Sequence, residues 1–219
     1  MNDELRMTND EYHNGYSHSS FVIRHSSFLT LLATLALLLA SCSSLQVPLK
    51  PPIFEDHEYT RGGNSGLSLA VKPIEGIKAY WELFDDNLPE IGIAAAWVIV
   101  KNTSNGTIDL THSKWAVQIG GRKYARMQNA AVMSRYYKGR YIRMYTAEAD
   151  GRARQDLERM TLHSGRLEPA MGAEGLVFFR IDPPPAARWT RGAILRINNI
   201  RIDDGKWIEL NLPLAYASP

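Results

Sequence analysis

The sequence predicts a mainly β protein: an antiparallel β-sandwich with a helical insertion over about residues 128–171. Three observations lead to this prediction. Short apolar or alternating segments follow one another beyond Gly66, and turn residues separate them at close spacing. Between Met127 and Leu176, about fifty residues have little strand character, which is longer than an ordinary loop. We therefore expect helices in this middle segment.

The strands are predicted from the spacing of their apolar side chains. Residues 67–71 alternate, whereas residues 94–100 are apolar at every position. A strand that is apolar on both faces fits the centre of a sheet whose two sides are covered. Further strands are predicted at residues 108–110, 115–119, 123–127, 176–181, 195–202 and 207–212.

Three dipeptides mark tight hairpin turns between these strands: Asn105-Gly106, Gly120-Gly121 and Asp204-Gly205. In the strand after the last turn, alternate residues share one face. We therefore expect Ile208, Leu210 and Leu212 to point into the core.

Two helices are predicted within the insertion. Asn129 is a suitable N-cap for the first helix, which runs to Tyr137 and ends at Gly139. The second helix covers residues 152–163, where apolar residues recur at helical spacing, and Gly165 follows it as a stop signal.

Residues 96–110 read Ala-Trp-Val-Ile-Val-Lys-Asn-Thr-Ser-Asn-Gly-Thr-Ile-Asp-Leu. This stretch resembles the strand, Asn-containing turn and strand of immunoglobulin-like domains that occur in many uncharacterised bacterial lipoproteins. The resemblance implies an immunoglobulin-like sandwich, which we place at residues 66–216. It implies no activity, since such sandwiches carry many unrelated functions.

A cleaved signal peptide is predicted over residues 1–41. The apolar run from Phe28 to Ala40 is 13 residues long, which suits the core of a secretory signal. It is too short for the roughly 20 residues that span a bilayer. The run ends in Leu39-Ala40-Ser41-Cys42, and Cys42 is the only cysteine of the chain.

This tetrapeptide resembles the lipobox of bacterial lipoproteins, in which a leucine and two small residues precede the cysteine that becomes the mature amino terminus. The resemblance implies that Cys42 is acylated and that the exported protein is held on a membrane, since two acyl chains give nearly permanent attachment. The next residue is Ser43 and not Asp. By analogy with the family, this favours the periplasmic face of the outer membrane.

Residues 42–65 are predicted to form a flexible tether. They contain Pro48, Pro51, scattered charges and the pair Gly62-Gly63, with few apolar residues at a regular spacing. At about 3.3 Å per extended residue, such a tether would let the folded domain stand tens of ångströms from the membrane.

Positive charge is concentrated in the middle of the chain, where residues 122–166 contain 11 basic and 4 acidic side chains. The densest part interleaves cations with aromatic rings, and its candidate binding residues are Arg135, Tyr136, Tyr137, Lys138, Arg140 and Arg143. Such side chains can bind anionic lipid head groups or phosphorylated glycans. The alternative is a solvated basic face whose tyrosines pack on the sandwich. We do not expect nucleic acid as a ligand of an exported lipoprotein.

The sequence offers little support for catalysis or metal binding. The acidic pairs Asp85-Asp86 and Asp203-Asp204 lie in predicted turns, and the histidines after Cys42 are widely separated. The sequence contains no phosphate-binding loop or nucleotide motif, and we predict no catalytic residue, metal or cofactor.

Together these features predict a lipid-anchored binding or assembly module of the cell envelope that lacks catalytic activity. Its expected partners are the membrane, through acylated Cys42, and an envelope protein or an anionic lipid or glycan. An envelope hydrolase with an unrecognised site and a structural spacer remain as alternatives. An enzyme should gather titratable groups in one pocket, whereas a binding module should expose an edge strand or an apolar patch.

The first 21 residues do not suit a signal peptide, because four acidic side chains stand where a basic segment is expected: Asp3, Glu4, Asp10 and Glu11. We hypothesise that residues 1–21 are not translated and that the chain begins at Val22, which leaves Arg24 ahead of the apolar run. Mass spectrometry of the unprocessed precursor should then find no peptides from residues 2–21. Their detection would contradict this start.

Overall fold

Ten β-strands form two antiparallel sheets in the residues that the computed structural model describes: 45–142, 145–182, 189–202 and 205–214. These residues belong to the compact unit Ser43–Pro219. The first sheet consists, in spatial order, of β1 (Thr60–Asn64), β2 (Leu67–Pro73), β3 (Ile93–Asn102) and β8 (Gly172–Arg180).

The second sheet is built around its longest strand. Its members are β4 (Ile108–Asp109), β5 (Lys114–Ile119), β6 (Arg122–Ala125), β7 (Arg166–Leu167), β9 (Ile194–Ile202) and β10 (Trp207–Pro213). β9 pairs with β10 on one side and with β5 and β4 on the other, while β6 flanks β5 and β7 flanks β4. The pairing of β3 with β8 and of β5 with β9 corresponds to the B–E and C–F pairs of an immunoglobulin domain, so the predicted sandwich is confirmed.

Within the described ranges, three α-helices accompany the sheets: α1 (Ile77–Phe84), α2 (Asn129–Gly139) and α3 (Ala147–Met160). Two short 3₁₀ turns lie at Asp56–Glu58 and Leu88–Ile91. α2 and α3 form the predicted helical insertion between β6 and β8. Among the described residues, none of the helices combines the length and the apolar character needed to cross a membrane.

The helix starts differ from the prediction. Gln128 occupies the N-cap of α2, and the side chain of Asn129 instead donates to Glu158 Oε2 (2.6 Å) and accepts from Thr161 Oγ1 (3.0 Å). Asn129 therefore ties the start of α2 to the end of α3. α3 begins at Ala147, five residues before the predicted start, because the hydroxyl of Thr146 accepts from the Ala149 N–H at 3.1 Å and caps it.

β3 separates two apolar cores. Alternate side chains of this strand, at 94, 96, 98 and 100, pack between the two sheets. The intervening residues Ile93, Ala95 and Trp97 pack against α1, α2 and α3 on the outer face of the first sheet. We call these three helices, together with residues 45–47, the helical layer. The expectation that β3 is covered on both faces is confirmed.

The edges of the two sheets meet on both sides of the sandwich. On one side, the chain after β6 bridges to β8, and the Met127 N–H donates to the Phe178 carbonyl at 2.7 Å. On the other side, β1 lies beside β10, where the amide of Asn64 donates to the Glu209 carbonyl at 3.5 Å. A Cβ atom at Gly62 would lie only 2.6 Å from a terminal methyl of Leu212, so a larger residue there would displace that side chain.

The flexible tether predicted over residues 42–65 is wrong at both ends of its described part, residues 45–65. Leu45 and Val47 are buried in the core of the helical layer. Residues 60–64 form β1, which pairs with β2 through a tight turn at Ser65 and Gly66, both with positive φ. The glycines that indicated a linker lie instead in β1 and in the turn that follows it. Leu45 and Val47 escaped the prediction because two buried side chains are too few to form a recognisable apolar pattern.

The hairpin predicted at Asn105-Gly106 is also wrong. β3 and β4 belong to different sheets, and neither Asn105 nor Gly106 has a positive φ. Instead, the buried amide of Asn102 donates to the carbonyls of Gly106 (2.7 Å) and Leu167 (2.8 Å) and accepts from the Ser104 N–H (2.9 Å). The loop is organised by the residue that ends β3, because its side chain satisfies backbone groups that the sheets leave unpaired.

The remaining hairpins agree with the sequence. Gly120-Gly121 joins β5 to β6, and Gly205 follows β9 with a positive φ, while Asp204 lies outside the described residues. In β10, Ile208, Leu210 and Leu212 are buried and the residues between them are exposed, as expected.

Replacing Asn102 with Ala should lower the free energy of unfolding by about 2–3 kcal/mol, because several buried backbone groups lose their partner at once. Urea denaturation measures the change. Asn105→Ala is the control, since Asn105 is exposed, and it should change stability by less than about 0.5 kcal/mol. Equal effects of the two substitutions would contradict the role of Asn102.

Candidate functional site

The tyrosines of the predicted basic and aromatic cluster face the protein interior. Tyr136 and Tyr137 lie on the buried side of α2, in the core of the helical layer. Tyr137 stacks on Tyr145 at a centroid distance of 4.3 Å and donates its hydroxyl hydrogen bond to Asp150 (2.8 Å). Burial and this bond raise the pKa of Tyr137. Neither ring is placed to stack on a ligand.

Arg140 is engaged in an ion-pair network. Its guanidinium donates two hydrogen bonds to Asp86, one of them at 3.1 Å from Nε, and one to Glu90 (2.7 Å). Burial disfavours the charge of Arg140, but these carboxylates outweigh it and raise its pKa. Asp86 is only 8% exposed. The acidic pair Asp85-Asp86 thus supplies a partner for an arginine that fastens the end of α2.

Several predicted residues lie outside the described part of the chain, namely Cys42, Arg143, Asp203 and Asp204. In the described part, no three His, Cys, Asp or Glu side chains come together as a metal site. The predicted residues at 135–143 therefore do not form one exposed surface. Tyr136 and Tyr137 are buried and Arg135 and Arg140 are paired, whereas Tyr141 is 84% exposed.

A groove of about 750 Å³ does use part of this cluster. It lies between β6 with the residues that follow it and one side of α2, and the end of β8 contributes to its wall. Its charged lining residues among those described are Lys123, Arg126, Arg135, Lys138, Arg180 and Asp182. We call it the basic groove, since five of these six side chains are cationic.

Asp182 is held between two arginines at one end of the basic groove. Arg135 donates to Asp182 Oδ1 at 2.9 Å and to the Ile91 carbonyl at 2.8 Å, while Arg180 donates to Asp182 Oδ2 at 2.6 Å. A Cβ atom at Gly92 would lie 3.0 Å from the guanidinium of Arg135, and Gly92 also has a φ of +77°. Glycine is favoured there by this φ and by the Ile181 carbonyl, which would lie 2.9 Å from the Cβ atom.

Arg126 forms part of the floor of the basic groove. It donates to the Ser164 hydroxyl at 3.0 Å and to the Leu162 carbonyl, and its guanidinium lies 5.9 Å from the centre of the Trp115 ring. Burial lowers the pKa of Arg126. This arginine therefore joins β6 to the chain after α3, and its charge adds to the potential of the groove.

Lys123 and Lys138 are the cations available to a ligand. Both are exposed, they stand on opposite walls of the basic groove, and neither has an ion-pair partner among the described residues. A lysine ammonium is a mobile point charge that can bind phosphate or carboxylate groups in several geometries. The groove can thus accept an anionic group, with two free lysines and a background of fixed arginines.

Sequence reasoning found Arg135 and Lys138 but did not single out Lys123, Arg180 and Asp182. Arg180 and Asp182 are distant from α2 along the chain, and Lys123 lies on β6, shortly before α2; strand pairing brings β6 and the end of β8 to the groove. The alternation of inward and outward side chains along a strand was the signal that could have indicated them. Lys123 follows a predicted hairpin turn at an outward position, and Arg180 and Asp182 flank the buried Ile181 at the end of a strand.

A second groove, of about 640 Å³, lies on the other side of Arg126 and includes Glu158, His163 and Ser164. His163 Nδ1 is 3.8 Å from Glu158 Oε1, and both side chains are exposed. The Ser164 hydroxyl accepts from Arg126, and none of the described hydroxyl groups is hydrogen-bonded to His163. The arrangement pairs an acid with a base and leaves the hydrolase alternative as a hypothesis.

Comparison with known proteins adds little. No family model matches the chain, and no curated protein matches it. Among solved structures, the archaellum periplasmic stator protein complex FlaF and FlaG from Sulfolobus acidocaldarius is similar at 10% identity and a TM-score of 0.31, covering 74% of this chain and 98% of that chain. A conserved hypothetical protein from Bacillus anthracis shows 9% identity and a TM-score of 0.29, with 76% and 95% covered. Likeness this low carries no argument about function.

Arg140 and Lys138 should respond differently to truncation. Arg140→Ala should lower the free energy of unfolding by about 1–3 kcal/mol, because it leaves the nearly buried Asp86 without its cation. Lys138→Ala should change it by less than about 0.5 kcal/mol, since Lys138 is exposed and unpaired among the described residues. Thermal and urea denaturation measure both. A stable Arg140→Ala variant would show that the network with Asp86 is dispensable.

Proposed function

We propose that this protein is an exported, lipid-anchored module of the cell envelope that binds an anionic partner in the basic groove and acts without catalysis. The observation that carries this proposal is the charge of the groove: five cationic side chains and one carboxylate among the described residues, with both lysines free. The lone Cys42 after a short apolar run supports the anchor.

The fixed arginines and the free lysines have different parts in this function. Arg126, Arg135 and Arg180 are hydrogen-bonded within the protein, so their guanidinium groups are fixed in position and contribute to the positive potential of the groove. Lys123 and Lys138 would make the contacts with the anion. A partner bound in this way is recognised mainly by charge, and its binding should weaken as salt is added.

An anionic lipid head group and an anionic glycan both carry the negatively charged groups that the basic groove would bind. An envelope protein with an acidic surface is a further partner of the same charge. A spacer would need no such groove, so charge-dependent binding separates the proposed module from that alternative.

The double substitution Lys123→Ser and Lys138→Ser should weaken anion binding by roughly 10- to 30-fold, since each lysine near an anionic surface contributes about 1 kcal/mol. The probes are phosphatidylglycerol vesicles, compared with phosphatidylcholine vesicles, and dextran sulfate as a soluble polyanion. Cys42→Ser is included in every chain, so that no acyl group contributes.

The matched control is Lys101→Ser with Lys206→Ser, which removes the same charge from exposed positions outside the groove. It should leave binding nearly unchanged. If the groove variant loses binding to the vesicles but not to dextran sulfate, the lipid surface is identified as the ligand. If it loses binding to both probes, the groove is a general anion site. If the groove and control variants bind equally well, the proposed site is wrong.

A further inference from the structure

The folded domain begins very close to the predicted lipid anchor. Leu45 is already buried in the core of the helical layer, and Val47 follows it there. Only Ser43 and Ser44 stand between Cys42 and Leu45. Three Cα–Cα steps span at most about 11 Å. An acyl group on Cys42 therefore cannot hold the domain at a distance from the bilayer, in contrast to the long tether that the sequence predicted.

The side of the domain next to the anchor is the helical layer. Between the buried Leu45 and Val47, the exposed Gln46 lines a hollow of about 360 Å³ together with Trp81 of α1. Tyr136 and Arg140 of α2 line the same hollow. Since the chain enters the fold here, α1 is among the elements nearest to the membrane surface when Cys42 carries its lipid.

α1 exposes apolar side chains at this place. Ile77 is 53% exposed and Trp81 is 50% exposed, and they stand one helical turn apart. The opposite side of α1 is buried through Tyr80 and Phe84. Tryptophan is enriched where an apolar surface meets water, because its ring is amphipathic, and the bilayer interface is such a place.

The charges around Trp81 do not favour an anionic surface. Lys78 lies 3.6 Å from Glu82 within α1, and the carboxylates of Asp86 and Glu90 are paired with Arg140. Asp85, which follows α1, is exposed. A contact made here has to depend on the apolar side chains, and it should occur on zwitterionic lipid and be insensitive to salt.

We infer that Ile77 and Trp81 of α1 form a membrane-contact face that lies in the bilayer interface when Cys42 is acylated. The helical layer then faces the lipid, and the outer face of the second sheet points away from it. This inference rests on the proposed anchoring through Cys42, and it concerns a site separate from the basic groove.

Trp207 provides a matched control for Trp81. It is 57% exposed, close to the value for Trp81, but it lies on β10 of the second sheet, on the opposite side of the sandwich from the helical layer. The other three tryptophans, Trp97, Trp115 and Trp189, are buried. A quencher confined to the bilayer should therefore distinguish the two exposed rings.

The test uses the full chain, produced in a bacterium that processes lipoproteins and reconstituted into phosphatidylcholine vesicles with brominated acyl chains. Tryptophan fluorescence is compared with that in unbrominated vesicles. We expect quenching in the wild type, the same quenching in Trp207→Phe, and loss of at least half of it in Trp81→Phe. Adding phosphatidylglycerol or salt should not change this pattern.

Two results would overturn the inference: quenching in Trp81→Phe as strong as in the wild type, or no quenching of an acylated wild-type chain. The mass of the purified protein reports acylation separately. If it shows an unmodified thiol, the anchoring proposal fails, and the face is then tested by coupling Cys42, the only cysteine, to a maleimide phospholipid. The same two outcomes then decide whether Trp81 contacts the bilayer.

Discussion

A sheet that is apolar on both faces has to be covered on both sides, and β3 imposes this condition on the whole domain. Its alternate side chains at 94–100 pack against the second sheet, while Ile93, Ala95 and Trp97 require a separate cover. The insertion between β6 and β8 provides most of that cover, together with α1 and the residues around Leu45. The order of the layers therefore follows from the composition of one strand.

The way in which α2 is attached to this sheet decides which of its cations remain free. Its apolar stripe packs inward. Arg135 pairs with Asp182, which follows β8, and Arg140 pairs with Asp86, which precedes β3. Guanidinium groups suit this task because they make several directed hydrogen bonds at once. Lys138 has no such partner among the described residues and projects into the groove. At α2, positive charge thus divides into two arginines that are paired with acidic residues of the fold and one lysine that faces solvent.

Local signals were sufficient for most of the fold. Side-chain alternation and glycine turns predicted the hairpins β5–β6 and β9–β10, and the double-sided apolar pattern predicted the position of β3, because each signal lies within a few residues. The basic groove could be predicted only in part. The partners of Arg140 lie about fifty residues earlier in the chain, and no local pattern reveals them. Asn102 was overlooked because a turn dipeptide three residues later offered a simpler explanation. Leu45 was overlooked because a single buried side chain does not form a periodic apolar pattern.

Under the anchoring proposed above, the contacts that join the two sheets at their edges have a consequence. Attachment to a membrane brings copies of a chain together in two dimensions, where an unprotected strand can recruit its neighbours into extended aggregates. Here the Met127–Phe178 hydrogen bond on one side and the β1–β10 contact on the other occupy strand edges that would otherwise serve as templates. These contacts restrict the pairing of those edges with strands of another copy.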